Sequence, residues 1–218
     1  MALWNGWLEM LSQLINMFAA LGAVGTGVAV IVVTLLLRSA LLPISWPIAY
    51  RARIRQLKLL QIQPKLKALQ ESLKDRPDQY MQKTFDLYRE NGISLIDGRS
   101  IMGAVLQLPV FLGMFHVLRD GIASGRFLWI TNLAKPDGLL AIAAGLTTAL
   151  MMAVIPDVPE HMRTFLLLVP SIVIAVVALK FSAALCLYWI TSNCFSTLQT
   201  VLLNRFVDRE ISLGRLKA

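Results

Sequence analysis

The residue whose type and position most clearly suggest chemistry is Arg38. It lies inside residues 28–43, an otherwise apolar run reading VAVIVVTLLLRSALLP. A charged residue at the centre of a spanning helix costs roughly 2.5–3.5 kcal/mol on insertion scales, and is tolerated when it faces a bundle interior or a water-filled cavity. There a guanidinium would act by charge, drawing anionic groups into a low-dielectric recess. The alternative is an Arg near the end of its span, snorkelling to the headgroups. A helix over residues 26–46 sets Arg38 about 12 Å from its near end, and an Arg side chain covers only part of that distance. Other reactive groups are sparse. Cys186 and Cys194 are eight positions apart on one predicted helix, about 12 Å of rise and too far for a disulfide. His116 and His161 form no metal constellation, and neither has an evident nucleophile partner. GxxxxGK[ST] and GxSxG motifs are missing, so no nucleotide hydrolysis or acyl transfer is expected. The predicted spans contain no Asp or Glu, which argues against aspartyl proteolysis and carboxylate-driven proton coupling. An enzyme is not expected, nor a cofactor or metal.

The elements that must position Arg38 are membrane helices. The 218 residues are 56% hydrophobic and only 16% charged, with net charge +8 and mean hydropathy +0.64. Soluble domains are nearer a quarter charged. Several long, nearly uncharged runs predict an all-α membrane protein with multiple spans. The positive charge is confined to particular loops, as membrane orientation requires, so DNA is not an expected partner.

Residues 1–20 place Trp4, Trp7, Leu8, Leu11, Leu14, Ile15 and Phe18 on one helical face, predicting an amphipathic helix along the membrane interface. A signal peptide is the competing reading, but its positive n-region is missing, since Arg38 is the first basic residue. Gly22, Gly25 and Gly27 then loosen the chain. Residues 21–47 hold span one (26–46), with a bend or exit expected at Pro43 and Pro47. Residues 48–99 carry eleven Lys/Arg, including Arg51, Arg53, Arg55, Lys58, Lys65 and Lys67. There Ile62, Leu66, Leu69 and Leu73 form one stripe and Met81, Phe85 and Tyr88 another, separated by Asp75-Arg76-Pro77-Asp78. Two stripes joined by a short turn predict an antiparallel helical hairpin. It either contacts partners and anionic lipid or is a structural hairpin with a solvated basic face.

Residues 100–205 hold spans two to five, over 101–118, 139–155, 165–179 and 185–203, and 206–218 form a short basic tail. Span two contains Gln107, Pro109 and His116, the last read as an end-of-helix polar group. The loop after it carries the apolar Phe127-Leu128-Trp129-Ile130 patch and a Gly121/Gly125 pair, which has no helix-dimer meaning in a loop. A tight turn is expected at Ser182-Ala183-Ala184. With the hairpin in the cytoplasm, the N-terminus lies outside and the C-terminus inside. Only Arg119, Arg126, Lys135 and Lys180 are then left outside, in keeping with the positive-inside rule. Spans two to four are short, which thins the local bilayer or admits water.

The order and wording of these pieces resemble the YidC/Oxa/Alb membrane protein insertases over nearly the whole chain. The likeness is carried by Thr34, Arg38, Leu41, Leu42 and Pro43; by Gln63-Pro64-Lys65-Leu66-Lys67; and by Leu87-Tyr88-Arg89-Glu90-Asn91-Gly92. It continues through Leu106-Gln107-Leu108-Pro109-Val110-Phe111, the 127–130 patch, Leu187-Tyr188-Trp189-Ile190, Asn193, Gln199 and Asn204-Arg205. Three stretches depart from the family pattern. Ser94-Leu95-Ile96-Asp97-Gly98-Arg99 stands where something like NPLGGC is usual, Met151-Met152 replaces a frequent Gln pair, and Ser182-Ala183-Ala184 replaces Pro-Ala-Gly. The large external domain of many bacterial members is not expected here. These departures point to a specialised paralogue with a less polar groove.

The resemblance implies five transmembrane helices around a hydrophilic groove, with an interfacial N-terminal helix and a cytoplasmic hairpin. Arg38 would be the positive charge in the groove, with Gln107, Tyr188, Trp189 and Asn193 as further groove candidates. For Tyr188 and Trp189 the alternative is plain packing or an interfacial belt, and for Gln107 an interhelical hydrogen bond. Nascent membrane proteins would be the clients, moved without nucleotide hydrolysis in a bacterial inner membrane. The lipid bilayer is an implied partner, and the ribosome, targeting factors and the Sec translocon are further candidates. Two other readings are an assembly factor that holds clients without inserting them, and an anion channel or transporter selecting through Arg38.

Overall fold

A computed structural model of the chain describes residues 1–20, 25–93, 98–119 and 125–216. Gly22, Ser94 to Asp97, Gly121 and Lys217 lie outside the described residues. Among the described residues the fold is all-α, with helices α1 Ala2–Ala20, α2 Gly25–Ser72, α3 Pro77–Glu90, α4 Gly98–Arg119, α5 Gly138–Ala153, α6 Glu160–Ala178 and α7 Ala183–Ser212. The 48-residue α2 contains a segment long and apolar enough to cross a membrane, while Gly138–Ala153 and Met162–Ala178 are shorter apolar helices. Two compact units divide the chain: Met1–Pro43 with Leu106–Val201, and Ile44–Val105 with Leu202–Ala218.

The first unit holds the main core. Leu11 and Ile15 of α1, Val30 and Val33 of α2, Met114 and Leu118 of α4, and Ala141 and Ala144 of α5 are all buried in one cluster. The N-terminal helix therefore does more than lie at an interface. Trp7 donates from Nε1 to the Pro109 carbonyl at 3.1 Å, and the Trp4 ring meets His116 edge-on at 5.8 Å. Gly113 makes this seating possible, because a Cβ there would run into Trp7 and Leu11. Between α5 and α6 the approach is equally close. A Cβ on Gly145 would stand 2.8 Å from Ala175 Cβ and 2.9 Å from the Ser171 carbonyl oxygen.

The helix ends in this unit follow local chemistry. Asp137 caps α5, its Oδ1 accepting from Leu140 N at 2.9 Å, and its Oδ2 accepts from Trp129 Nε1 at 3.3 Å. Phe127 and Ile130 exchange backbone hydrogen bonds of 2.9 and 2.8 Å, which turns Leu128 and Trp129 outward to exposed positions. The predicted tight turn between α6 and α7 is present. Ala183 N and Ala184 N donate to the carbonyls of Lys135 and Leu133, at 2.9 and 3.0 Å.

Three details add to or change the expectations. Helix α2 continues through Pro43 and Pro47 to Ser72, so of the bend or exit expected there the chain takes no exit. Each proline removes one backbone donor, but proline's φ is itself helical and membrane helices can re-satisfy the freed carbonyls. Helix α7 continues through Ser212, so the tail begins as helix. Nothing between Asn204 and Ser212 breaks a helix, and Gly214 ends it at φ +69°. Gly214 N donates to Ile211 O and Arg215 N to Glu210 O, the paired closure of a helix with a left-handed residue just past its end. Within the second unit, Phe206 of that tail lies against Trp46 and Tyr50, with ring centroids 6.4 and 6.2 Å apart.

The third change concerns α3. The α2–α3 connection is the expected short turn, closed by Arg76 N donating to Leu73 O at 2.9 Å. Leu66, Leu69 and Leu73 are half-buried and Ile62 is buried. On α3, however, Tyr80, Thr84 and Leu87 are half-buried, whereas Met81 is 57% and Phe85 45% exposed. The covered stripe lies one residue, or about 100° of helix rotation, from the one expected; Tyr88 alone of the predicted stripe is half-buried.

Candidate functional site

Arg38 is on the helical line of Val30 and Thr34, spaced by four. Val30 and Thr34 are fully buried, and Thr34 Oγ1 is satisfied within its own helix, donating to Val30 O at 2.6 Å. Arg38, one turn further on, reaches across to α7. Its guanidinium donates to the Ser192 hydroxyl, and its Nε is buried with no hydrogen-bond partner. Tyr188 lies one turn before Ser192 on α7 and is 1% exposed. Gln107 of α4 donates from Nε2 to the Tyr188 hydroxyl at 3.4 Å. Arg38, Gln107 and Tyr188, anticipated from sequence, thus belong to one polar cluster with Ser192 as the added member.

Trp189 and Asn193 point elsewhere. They occupy the neighbouring line of α7 and both turn to α5. Trp189 Nε1 donates to Thr148 Oγ1 at 3.2 Å. Asn193 Nδ2 donates to the same oxygen at 2.9 Å and to Thr147 Oγ1 at 3.5 Å. Thr148 in turn donates to Ala144 O at 2.8 Å, so one buried hydroxyl serves three bonds. The indole also meets Phe111 edge-on at 5.7 Å. Sequence reasoning missed Ser192, Thr147 and Thr148. The available signal was a Thr-Thr pair inside the apolar α5 and a serine one turn after a tyrosine.

The first cluster sets a cation among neutral partners: hydroxyls and an amide. No acidic residue occurs between Glu9 and Glu71 in the sequence that carries Arg38. A guanidinium with neutral neighbours retains its attraction for an incoming anion, which a carboxylate partner would cancel.

In the second unit the basic residues differ in exposure. Arg51, Lys58, Lys65 and Lys67 are exposed and Arg55 is half-buried. Arg53 is buried, with its Nη1 3.4 Å from Gln56 Oε1. Its guanidinium is therefore withdrawn from the surface where it was expected to meet lipid or partners, because it follows the inward face of α2.

Comparison with known proteins identifies the lineage. The sequence model of the family described as 60Kd inner membrane protein matches residues 17–210. The chain belongs to that family. It is 32% identical over 214 residues to the membrane protein insertase YidC of Oceanobacillus iheyensis, covering 89% of this chain and 80% of that protein. It is 33% identical to the membrane protein insertase MisCA of Bacillus subtilis, covering 88% and 76%. With the membrane protein insertase YidC 1 of Halalkalibacterium halodurans the identity is 35%, covering 80% and 68%. The resemblance to the YidC/Oxa/Alb insertases is borne out.

Proposed function

We propose that this chain is a non-enzymatic membrane protein insertase of the bacterial inner membrane. In this reading five helical segments span the bilayer, from α2, α4, α5, α6 and α7, with the N-terminus outside and the C-terminus in the cytoplasm. Nascent membrane proteins are its clients. The observation that carries the reading is Arg38: a guanidinium inside an apolar helix, bonded to the neutral Ser192 hydroxyl, in a family whose curated relatives are named insertases.

The mechanism follows from charge and burial. A short acidic N-terminal tail is drawn toward Arg38 through a groove that admits water. Its hydrophobic helix slides into lipid along the groove wall, and burial of that helix supplies the drive. The membrane potential adds about 2.3 kcal/mol per charge at 100 mV, and its sign favours moving negative charge outward. No nucleotide or cofactor is required. Exposed Arg51, Lys58, Lys65 and Lys67 provide the cytoplasmic surface for anionic lipid, the ribosome, targeting factors or the Sec translocon.

The test is insertion of a single-span client with an acidic N-tail into proteoliposomes, read by protease protection. Wild type and Arg38→Lys are expected to protect the tail, and Arg38→Ala to protect it no better than empty liposomes. Equal protection by all three would remove Arg38 from the mechanism. Client binding without protection by any of them would leave a holding factor, and anion flux without client would leave a channel.

A further inference from the structure

We propose that the first unit carries a binding site for an anionic phospholipid, formed where the end of α4 meets the α6–α7 turn. The proposal rests on the chain being embedded in a bilayer, as argued above. The site is a cavity of about 350 Å³ lined by Arg119, Lys180, Phe115, Phe181, Ser182 and Leu185, among others.

Its chemistry is divided in the way a phospholipid is divided. Two cations, Arg119 and Lys180, stand at the rim, and both are exposed. The Arg119 guanidinium is held over the Phe115 ring, 5.8 Å from its centroid, which restricts a long side chain to the mouth of the cavity. Phe115 and Phe181, edge-on at 6.0 Å, and Leu185 form an apolar floor. Ser182 is turned to the protein, its Oγ accepting from Leu185 N at 3.3 Å, so it does not compete for the rim cations.

Among the described residues the lining contains no carboxylate. Asp137, which follows the lining residue Pro136, is engaged by Leu140 N and Trp129 Nε1, and Asp120, next to Arg119, lies outside the described residues. Two cations with no carboxylate among the described lining residues suit a phosphate, and bidentate guanidinium–phosphate pairing suits Arg119.

A free phosphate would leave the aromatic floor unused. A lipid fills both parts, and the path for its acyl chains is present. Val176 of α6 and Leu179, just past its end and next to Lys180, are apolar and exposed, which in a bilayer means facing hydrocarbon. The ligand class is thus a phosphodiester headgroup of net negative charge with an acyl chain, such as phosphatidylglycerol.

The experiment is native mass spectrometry of the full chain released from detergent, with phosphatidylglycerol, phosphatidylcholine or inorganic phosphate added. Wild type should retain phosphatidylglycerol in preference to phosphatidylcholine. Arg119→Gln/Lys180→Gln should weaken that retention by about tenfold or more, and Arg119→Lys/Lys180→Arg should restore it. Arg205→Gln/Arg209→Gln, which changes the same charge elsewhere, should not affect it. Undiminished retention in the Gln pair, or equal retention of phosphatidylcholine, would overturn the proposal. Displacement by inorganic phosphate at similar concentration would overturn the lipid assignment. Client insertion is measured on the same preparations. Wild type that inserts clients without lipid preference sinks only the lipid site, whereas lipid preference without insertion sinks only the insertase reading.

Discussion

The guanidinium of Arg38 on α2 donates to the hydroxyl of Ser192 on α7, across 154 positions of sequence. A double-mutant cycle should detect this pair. Ser192→Ala removes an acceptor from a charged donor, a loss of about 1.5–3 kcal/mol. In an Arg38→Met background the same change should cost less than about 0.5 kcal/mol, because the donor is already gone. Unfolding in mild detergent measures both. Equal costs in the two backgrounds would show that the bond contributes nothing to stability.

Thr148 is expected to be the most sensitive hydroxyl of α5. Thr148→Val keeps the shape but leaves Trp189 Nε1 without its acceptor and Asn193 Nδ2 with only the longer bond to Thr147. Burying those groups unpaired costs about 1–3 kcal/mol each. Thr148→Ser should recover most of the loss. Thermal unfolding, with indole fluorescence reporting the Trp189 environment, separates the two variants.

Gly145 should tolerate no side chain. The Ala175 and Ser171 backbones and the Ala175 methyl leave no room for a Cβ. Gly145→Ala must push α5 and α6 apart, at about 1–3 kcal/mol. Gly138→Ala is the control, since nothing lies within 4 Å of its added Cβ. Helix propensity favours Ala at both sites, so similar losses in both would show that the close α5–α6 approach at Gly145 is not the cause.

Asp137 combines two roles, capping α5 and accepting from Trp129. Asp137→Ala should lose about 1 kcal/mol from the cap and free the 127–130 turn. Asp137→Asn should keep most of the cap. Amide hydrogen exchange at Leu140 and at the Trp129 indole reads the two roles separately.

The helices were legible because each carries its own signal. Long apolar runs announce α2, α5 and α6. Asp137 is a preferred capping residue, and Gly92 and Gly214 stand where helices end. Gly92 adopts φ +62°, with Gly92 N donating to Arg89 O and Ile93 N to Tyr88 O. The continuation of α2 past Trp46 and Pro47 was not legible, since proline weakens a helix without always ending it.

From the sequence alone one can establish an all-α chain with its positive charge segregated, an arginine inside an apolar segment, and the family to which it belongs. These are properties of composition, order and spacing along one dimension. Tertiary structure decided which partners the polar groups take: Ser192 for Arg38, Thr148 for Trp189 and Asn193, and Phe206 for Trp46 and Tyr50. It also decided that Tyr80, Thr84 and Leu87, not Met81 and Phe85, form the covered face of α3. The reason is geometric. Periodicity tells which residues share a face, but a helix's rotation about its axis is set by what packs against it, and about 100° separates one residue's face from the next.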